Sequence, residues 1–189
     1  MSWKIDPAHS QIQFTVRHMM ISKVRGRFEK FDGVVDFNEQ HPTRSTVEIQ
    51  IDAASINTGE EKRDAHLRSP DFLNAAEYPT LTFKSKRVEQ IDDQHGLIFG
   101  DLTIRGITHE VVLDTEYSGQ AKSPMGTVSA GFTATTRLNR KDWGLNWNMA
   151  LETGGWLVGD GVNISIELEI VKQAKAALEE LGEEAALAA

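Results

Sequence analysis

The 189-residue chain contains no cysteine. Disulfides, thiolate catalysis and cysteine metal sites are therefore excluded, and the redox compartment stays undecided. Nor is there an apolar run long enough to cross a bilayer. The opening MSWKIDPAHS has neither the basic nor the apolar segment of a signal peptide, so a cytoplasmic protein is the default expectation. Basic charge is in deficit: 20 Lys and Arg against 28 Asp and Glu give a formal net charge of -8. Such a balance argues against a nucleic-acid groove and against attraction to anionic membrane surfaces through overall charge.

Chemical motifs are also missing. There is no G-x-S-x-G elbow for a nucleophilic serine. The histidines His9, His18 and His66, with Asp6 and Asp64, are the candidate metal ligands, but no pair has H-E-x-x-H spacing. No metal and no cofactor is expected. The glycine-rich run GGWLVGDG (154–161) precedes a strand rather than a helix, so it reads as turn and bulge geometry, not as a phosphate cradle.

What the chain does have is alternation. In SQIQFTVRH (10–18), Ile12, Phe14, Val16 and His18 share one face, opposite Gln11, Gln13, Thr15 and Arg17. Similar strand patterns occupy 24–37, with a bulge or bend expected near Gly33, and 45–52. They resume at 80–87, 107–119, 126–139 and 158–170. Residues 96–106 are apolar on both faces, as in a strand covered on two sides, and Arg105-Gly106 reads as a tight turn. About eight antiparallel strands favour a closed barrel, because closure removes exposed edges. A β-sandwich is the alternative that this pattern leaves open.

One stretch interrupts the β pattern. SINTGEEKRDAHLRSPDFLNAAEY (55–78) carries a short helix, expected to start at a Thr58–Glu61 capping box, and a further turn at Ser69-Pro70. Helical spacing puts Arg63, His66 and Leu67 on one face and lets Asp64 pair with Arg68 one turn on. This polar insertion is a lid or a plug. Its Arg63-Asp64-His66 group either pins the helix across the barrel mouth or performs acid-base work. Trp143, Trp147 and Trp156 are core or rim packing, or they line one end of an apolar cavity. Beyond Val171, KQAKAALEELGEEAALAA changes to helical spacing. It predicts a C-terminal helix, so the division is a β domain over 1–172 and a tail over 173–189.

Four stretches resemble the YceI-like family of polyisoprenoid-binding proteins. They are WKIDPAHSQIQFTVRHMMISKVRGRF, SINTGEEKRDAHLRSPDFLNAAEYPTLTFKS, GDLTIRGITHEVVLD and RKDWGLNWN…LETGGWLVGDGVNISIELE. Together they run, in order, over about residues 3 to 172; the alanine- and glutamate-rich tail lies outside the pattern. The resemblance implies an all-β fold: an eight-stranded antiparallel lipocalin-like barrel with a short helical insertion. It also implies non-catalytic binding, storage or transport of an isoprenoid lipid, such as a prenylated quinone or a polyprenyl phosphate. On that reading an apolar cavity is lined by Phe14, Val16, Phe28, Phe37, Ile49, Ile51, Phe83, Phe132, Trp143, Trp147, Trp156, Ile164 and Ile166. Arg63, Asp64, His66, His18 and Arg140 surround a polar mouth that meets the head group. Two readings from other classes stand beside it: an enzyme using Asp64 and His66 on a small apolar substrate, and a filled-barrel structural protein. A homodimer is compatible with the chain, since closed two-fold assemblies are the commonest, but no residue pattern specifies one.

Overall fold

The computed structural model describes residues 3–173. Its strands are β1 (Trp3–Ile5), β2 (Gln11–His18), β3 (Ser22–Phe28), β4 (Phe31–Asp36), β5 (Thr46–Asp52) and β6 (Ile56–Asn57). After the helix α1 (Glu61–Arg68) come β7 (Thr80–Gln90), β8 (His95–Ile104), β9 (Ile107–Lys122), β10 (Val128–Asn139) and β11 (Val158–Lys172). All pairings are antiparallel. The eleven segments build a wall of eight strands, because three of those strands are each broken once. Thus β1 and β2 lie end to end along β11, with Ile5 opposite Ile170 and Gln11 opposite Glu167. In the same way β3 continues into β4 and β5 into β6. Each wall strand pairs with the next, and the β1–β11 pairing closes the ring. The sandwich alternative falls away.

The breaks have local causes. Asp6 turns the chain after β1 by accepting from the Ala8 amide at 2.9 Å, while Ser10 staples the loop to Glu169 through its hydroxyl. The second and third breaks lie side by side. Glu29 donates its amide to the Ser55 carbonyl at 3.1 Å, the Asp52 amide donates to the Lys30 carbonyl, and the Asp52 side chain caps the turn at Ala53–Ser55. The wall therefore turns a corner at Glu29-Lys30, and Gly33 stays in register opposite Ile49. The bend expected at Gly33 is made four residues earlier, by backbone and side-chain hydrogen bonds between Glu29-Lys30 and Asp52–Ser55, rather than by glycine. Among the described residues no second layer covers the outer face of β8; the Arg87 guanidinium lies 3.4 Å from the centre of the Phe99 ring and shields it.

Alternate ends of the ring carry different loops. One end gathers the β2–β3 turn, the insertion at 58–79, the Arg105-Gly106 turn and the segment 140–157. Arg105 and Gly106 both have left-handed backbones, φ 52° and 73°, as a two-residue hairpin of the right twist requires. Met19 and Met20 in the β2–β3 turn are also left-handed, φ 52° and 65°. For residues with a side chain this costs on the order of 1 kcal/mol each.

The opposite end is plugged. Trp3, Ile5, Val35, Ala130 and Ile170 form a buried cluster there, and the Phe37, Tyr117 and Phe132 rings stack against one another with centroids 5.1–5.5 Å apart. The indole of Trp3 donates to the Phe37 carbonyl at 3.2 Å. No helix among the described residues is long and apolar enough to cross a membrane. The expected C-terminal helix, and the tail over 173–189 almost entirely, fall outside the described residues.

Ile170 is 0 % exposed at the centre of the plug. Ile170→Ala should lower the unfolding free energy by about 2–5 kcal/mol through lost burial and a residual cavity. Urea denaturation checks this: the midpoint should fall while the denaturant slope stays the same.

Candidate functional site

Between plug and mouth the barrel holds a cavity of about 620 Å³ with an almost wholly apolar lining. An eight-stranded ring is wide enough to hold one small ligand when its side chains leave room. Two inward glycines help to leave it. A Cβ at Gly26 would lie 2.3 Å from the Phe14 ring, and one at Gly100 would lie 2.5 Å from the Phe83 ring. Each aromatic ring thus takes up the space that a side chain at the neighbouring glycine would occupy.

The wall contains the apolar candidates Phe14, Val16, Phe28, Phe37, Ile49, Ile51, Phe83, Phe132, Trp143, Trp147, Ile164 and Ile166. Trp156 is the correction: it sits outside the cavity on the segment 140–157, bridged to Ala150 and 56 % exposed. Phe72 and Leu73, in the turn that follows Ser69-Pro70, were missed by strand alternation and also line the cavity. Their signal in the sequence is a pair of apolar residues inside an otherwise polar insertion.

The mouth is roofed by α1. Its N-terminus is capped by Glu60, whose carboxylate accepts the amides of Lys62 and Arg63 at 3.1 and 2.7 Å. The expected Thr58–Glu61 box does not form, because Thr58 is engaged elsewhere. Its amide donates to Asp64 at 2.9 Å and its hydroxyl to the same carboxylate oxygen. Arg63 in turn donates to the Thr58 hydroxyl at 2.7 Å and to the Thr58 carbonyl at 2.9 Å. Asp64 is therefore buried beneath the helix and does not line the cavity; it holds the roof in place. Arg68 does not pair with Asp64. It donates to the carbonyls of Ala54 and Ile56 at 2.7 and 2.9 Å, fastening the helix to the corner in the wall.

Arg63, His66 and Leu67 share the face that looks into the cavity. The His66 Nε2 bonds Asp71 at 2.8 Å, and its ring meets Trp147 and Phe72 edge-on at 4.6 and 5.1 Å. The Asp64–His66 pair required by the acid-base reading is absent, since positions two apart on a helix face different ways. His66 nevertheless keeps Nδ1, and Arg63 keeps Nη1, without a hydrogen-bond partner among the described residues. His18 lines the mouth from β2, beside Arg17 and Lys62, neither of which alternation identified as a mouth residue.

Arg140 has another task. It borders the cavity yet is only 5 % exposed. Its guanidinium donates to the carbonyls of Leu145, Trp147 at 2.9 Å and Gly159 at 3.0 Å. Burial pushes its pKa below the ordinary guanidinium value, and the Asp160 carboxylate at 3.6 Å acts in the other direction. Its donors are spent on backbone, so it shapes the 140–157 segment rather than meeting a head group. The histidines do not gather: the cluster of possible ligands among the described residues is Asp6, His9 and Glu169, and the Asp6–His9 hydrogen bond at 2.9 Å accounts for its core.

The profile of the YceI-like domain matches residues 3–170. The chain belongs to the YceI-like family. It is 40 % identical over 171 residues to the UPF0312 protein SA2479 of Staphylococcus aureus (strain N315), covering 89 % of this chain and 96 % of that protein. Among solved structures, the YCEI protein of Campylobacter jejuni superposes with TM-score 0.72 at 33 % identity, over 84 % of this chain and 90 % of that one. A polyisoprenoid binding domain from Saccharophagus degradans shares the fold, with TM-score 0.63 at 14 % identity, over 89 % and 97 % of the two chains. The YceI-like assignment thus rests on sequence and fold together.

In this YceI-like barrel the two arginines at the mouth should respond differently to truncation. Arg140→Ala takes the buried guanidinium away from the Leu145, Trp147 and Gly159 carbonyls and should cost about 3–5 kcal/mol, in the range for breaking a buried charged cluster. Arg63→Ala, at a half-buried position, should cost about 1 kcal/mol. Thermal melts of the two variants beside the parent protein check the order.

Proposed function

We propose that this YceI-like barrel binds and carries one isoprenoid-type lipid, a prenylated quinone or a polyprenyl phosphate, and performs no chemistry on it. The observation that carries this reading is the cavity: about 620 Å³, apolar along its walls, plugged at one end and bordered by nitrogen donors at the other. That volume lies within the roughly 300–1,000 Å³ usual for small-molecule pockets. Each methylene moved from water to such a wall is worth about 0.8 kcal/mol, against which stands the cost of immobilising a flexible chain. The tail would lie against Phe14, Phe83, Ile164 and Ile166 and end at the Phe37–Phe132 floor. The head group would meet Arg63 Nη1, His66 Nδ1 and His18. The Saccharophagus degradans domain supports only the fold, at its level of identity; the cavity supports an apolar ligand, and the isoprenoid class is what membership of the YceI-like family implies.

Organic extraction of the purified protein followed by mass spectrometry is the direct test, with a prenyl lipid expected at up to one per chain. Titration of stripped protein with a prenylated quinone should quench emission from Trp143 and Trp147, which line the cavity. Recovery of no prenyl lipid together with no quenching would sink the carrier reading in favour of a filled barrel.

A second variant probes the wall itself. In Gly26→Ala the new methyl displaces the Phe14 ring toward the lumen. Quinone affinity should fall roughly tenfold, the loss expected when an apolar pocket loses the space of a methylene or two, while the melting temperature drops modestly. Unchanged affinity would mean that the tail does not lie along β2 and β3.

A further inference from the structure

Taken over the whole chain, the charge of -8 disfavours an anionic surface, but the charge is not spread evenly. On the outward face of the β2–β3 ribbon, Arg17, whose side chain also borders the mouth, stands directly opposite Lys23, and Thr15 opposite Arg25. Like charges placed directly across a ladder repel, and folding alone gives no return for that arrangement. None of the three is in an ion pair among the described residues. Arg27 further along is neutralised by Glu29 at 3.1 Å, and Asp160 is engaged by Lys141 at 2.9 Å. Across the mouth, Glu60 is spent on the helix cap and Asp71 on His66; Glu152 is the opposing charge on the neighbouring loop.

The tip of the same ribbon is apolar. Met19, Met20 and Ile21 are exposed, Ile21 by 84 %, and both methionines hold the left-handed backbone that glycine or asparagine would adopt without strain. The tip is joined to the 140–157 segment by the Met19 amide, which donates to the Leu157 carbonyl at 2.8 Å. That segment adds Met149 and Trp156, both exposed, and Gly155 lies against Met20. Five large apolar side chains therefore form one rim on the open end of the barrel, with unpaired cations just below it on the outer wall. An apolar edge above a cationic collar matches the layering of a lipid surface, where acyl chains lie beneath anionic phosphates.

We propose that this rim docks the barrel, mouth first, on a bilayer containing anionic phospholipid. Met20, Ile21 and Trp156 enter the interface, and Arg17, Lys23 and Arg25 meet the phosphates. The mouth bordered by His18 and Arg63 then faces the leaflet from which an insoluble chain can pass without crossing water. This docking rests on the carrier reading for its purpose but not for its measurement.

Flotation of the full chain with phosphatidylcholine vesicles, with and without phosphatidylglycerol, tests it. The expected result is binding to the anionic vesicles that weakens with salt, accompanied by a blue shift of tryptophan emission that Trp156→Phe removes. Ile21→Glu should weaken that binding roughly tenfold by placing a charge in the interface. Lys23→Ser should weaken it about fivefold, the worth of one basic residue near an anionic surface. Neither residue lines the cavity, so quinone quenching in the absence of vesicles should be unchanged in both. Absence of vesicle binding by the parent protein, which a protein partner at this rim would produce, overturns the proposal, as does binding by Ile21→Glu equal to the parent's. Vesicle binding without quinone uptake would instead leave the docking standing and overturn the carrier reading.

Discussion

A closed ladder of backbone hydrogen bonds fixes the circumference of the wall, and the side chains inside cannot pull it inward. That constraint governs the rest of the molecule. In an open sheet or a bundle, apolar faces approach until they touch, because protein interiors settle at crystal-like density. Here the β1–β11 pairing prevents collapse, so part of the inward set, Phe14, Ile49, Ile164 and Ile166 among it, remains half-buried against the lumen. The Phe14 and Phe83 rings take up the space at Gly26 and Gly100. An unfilled apolar lumen forfeits dispersion contacts at every lining atom. A chain that recovers them on entry is the natural complement of such a wall.

The ends of the ring divide the remaining tasks. At one end packed rings and Ile170 supply the dense packing that the lumen lacks. At the other, long loops must be held open across a gap, and arginines do this by capturing carbonyls. Arg140 gathers the 140–157 segment, Arg68 fastens α1 to the wall, and Arg63 is half-committed through Thr58. A guanidinium suits that work because its donors fan out in a rigid plane and stay charged when desolvated. Of the two arginines that read as head-group contacts, Arg140 is therefore a fastener of the frame and Arg63 is one in part.

Alternation along the strands carried the barrel's inner face well, since side chains on a strand leave only two options and one of them is polar. Phe14, Phe83 and Ile164 were legible for that reason. The breaks in the wall were not. Ser55 and Ser10 make them by hydrogen-bonding to a neighbouring strand's backbone, with Asp52 capping the local turn, and a pairing between strands leaves no local mark in sequence. Gly33 looked like a bend because glycine permits one, yet its role is to let the Glu48 carbonyl and Ile49 approach. The capping box failed for a similar reason: Thr58 had a better partner in Asp64, six residues away and visible only once the helix was placed. Trp156 illustrates the opposite limit, since its neighbourhood is set by two loops that meet only in the fold.

That meeting also changes how the net charge should be read. A total of -8 is a sum over a surface, whereas a lipid headgroup or a phosphate responds to charge within about 10 Å at moderate salt. On the β2–β3 ribbon the local balance has the other sign, and the like-charged pair of Arg17 and Lys23 sits where a strand pairing optimised for stability would place opposite charges. The same short ribbon holds two methionines in a strained turn and presents their side chains outward. Strain, repulsion and apolar exposure are three separate costs concentrated within a few residues at the mouth of the cavity. A single external surface, apolar inside and anionic outside, would relieve the last two at once and tolerate the first.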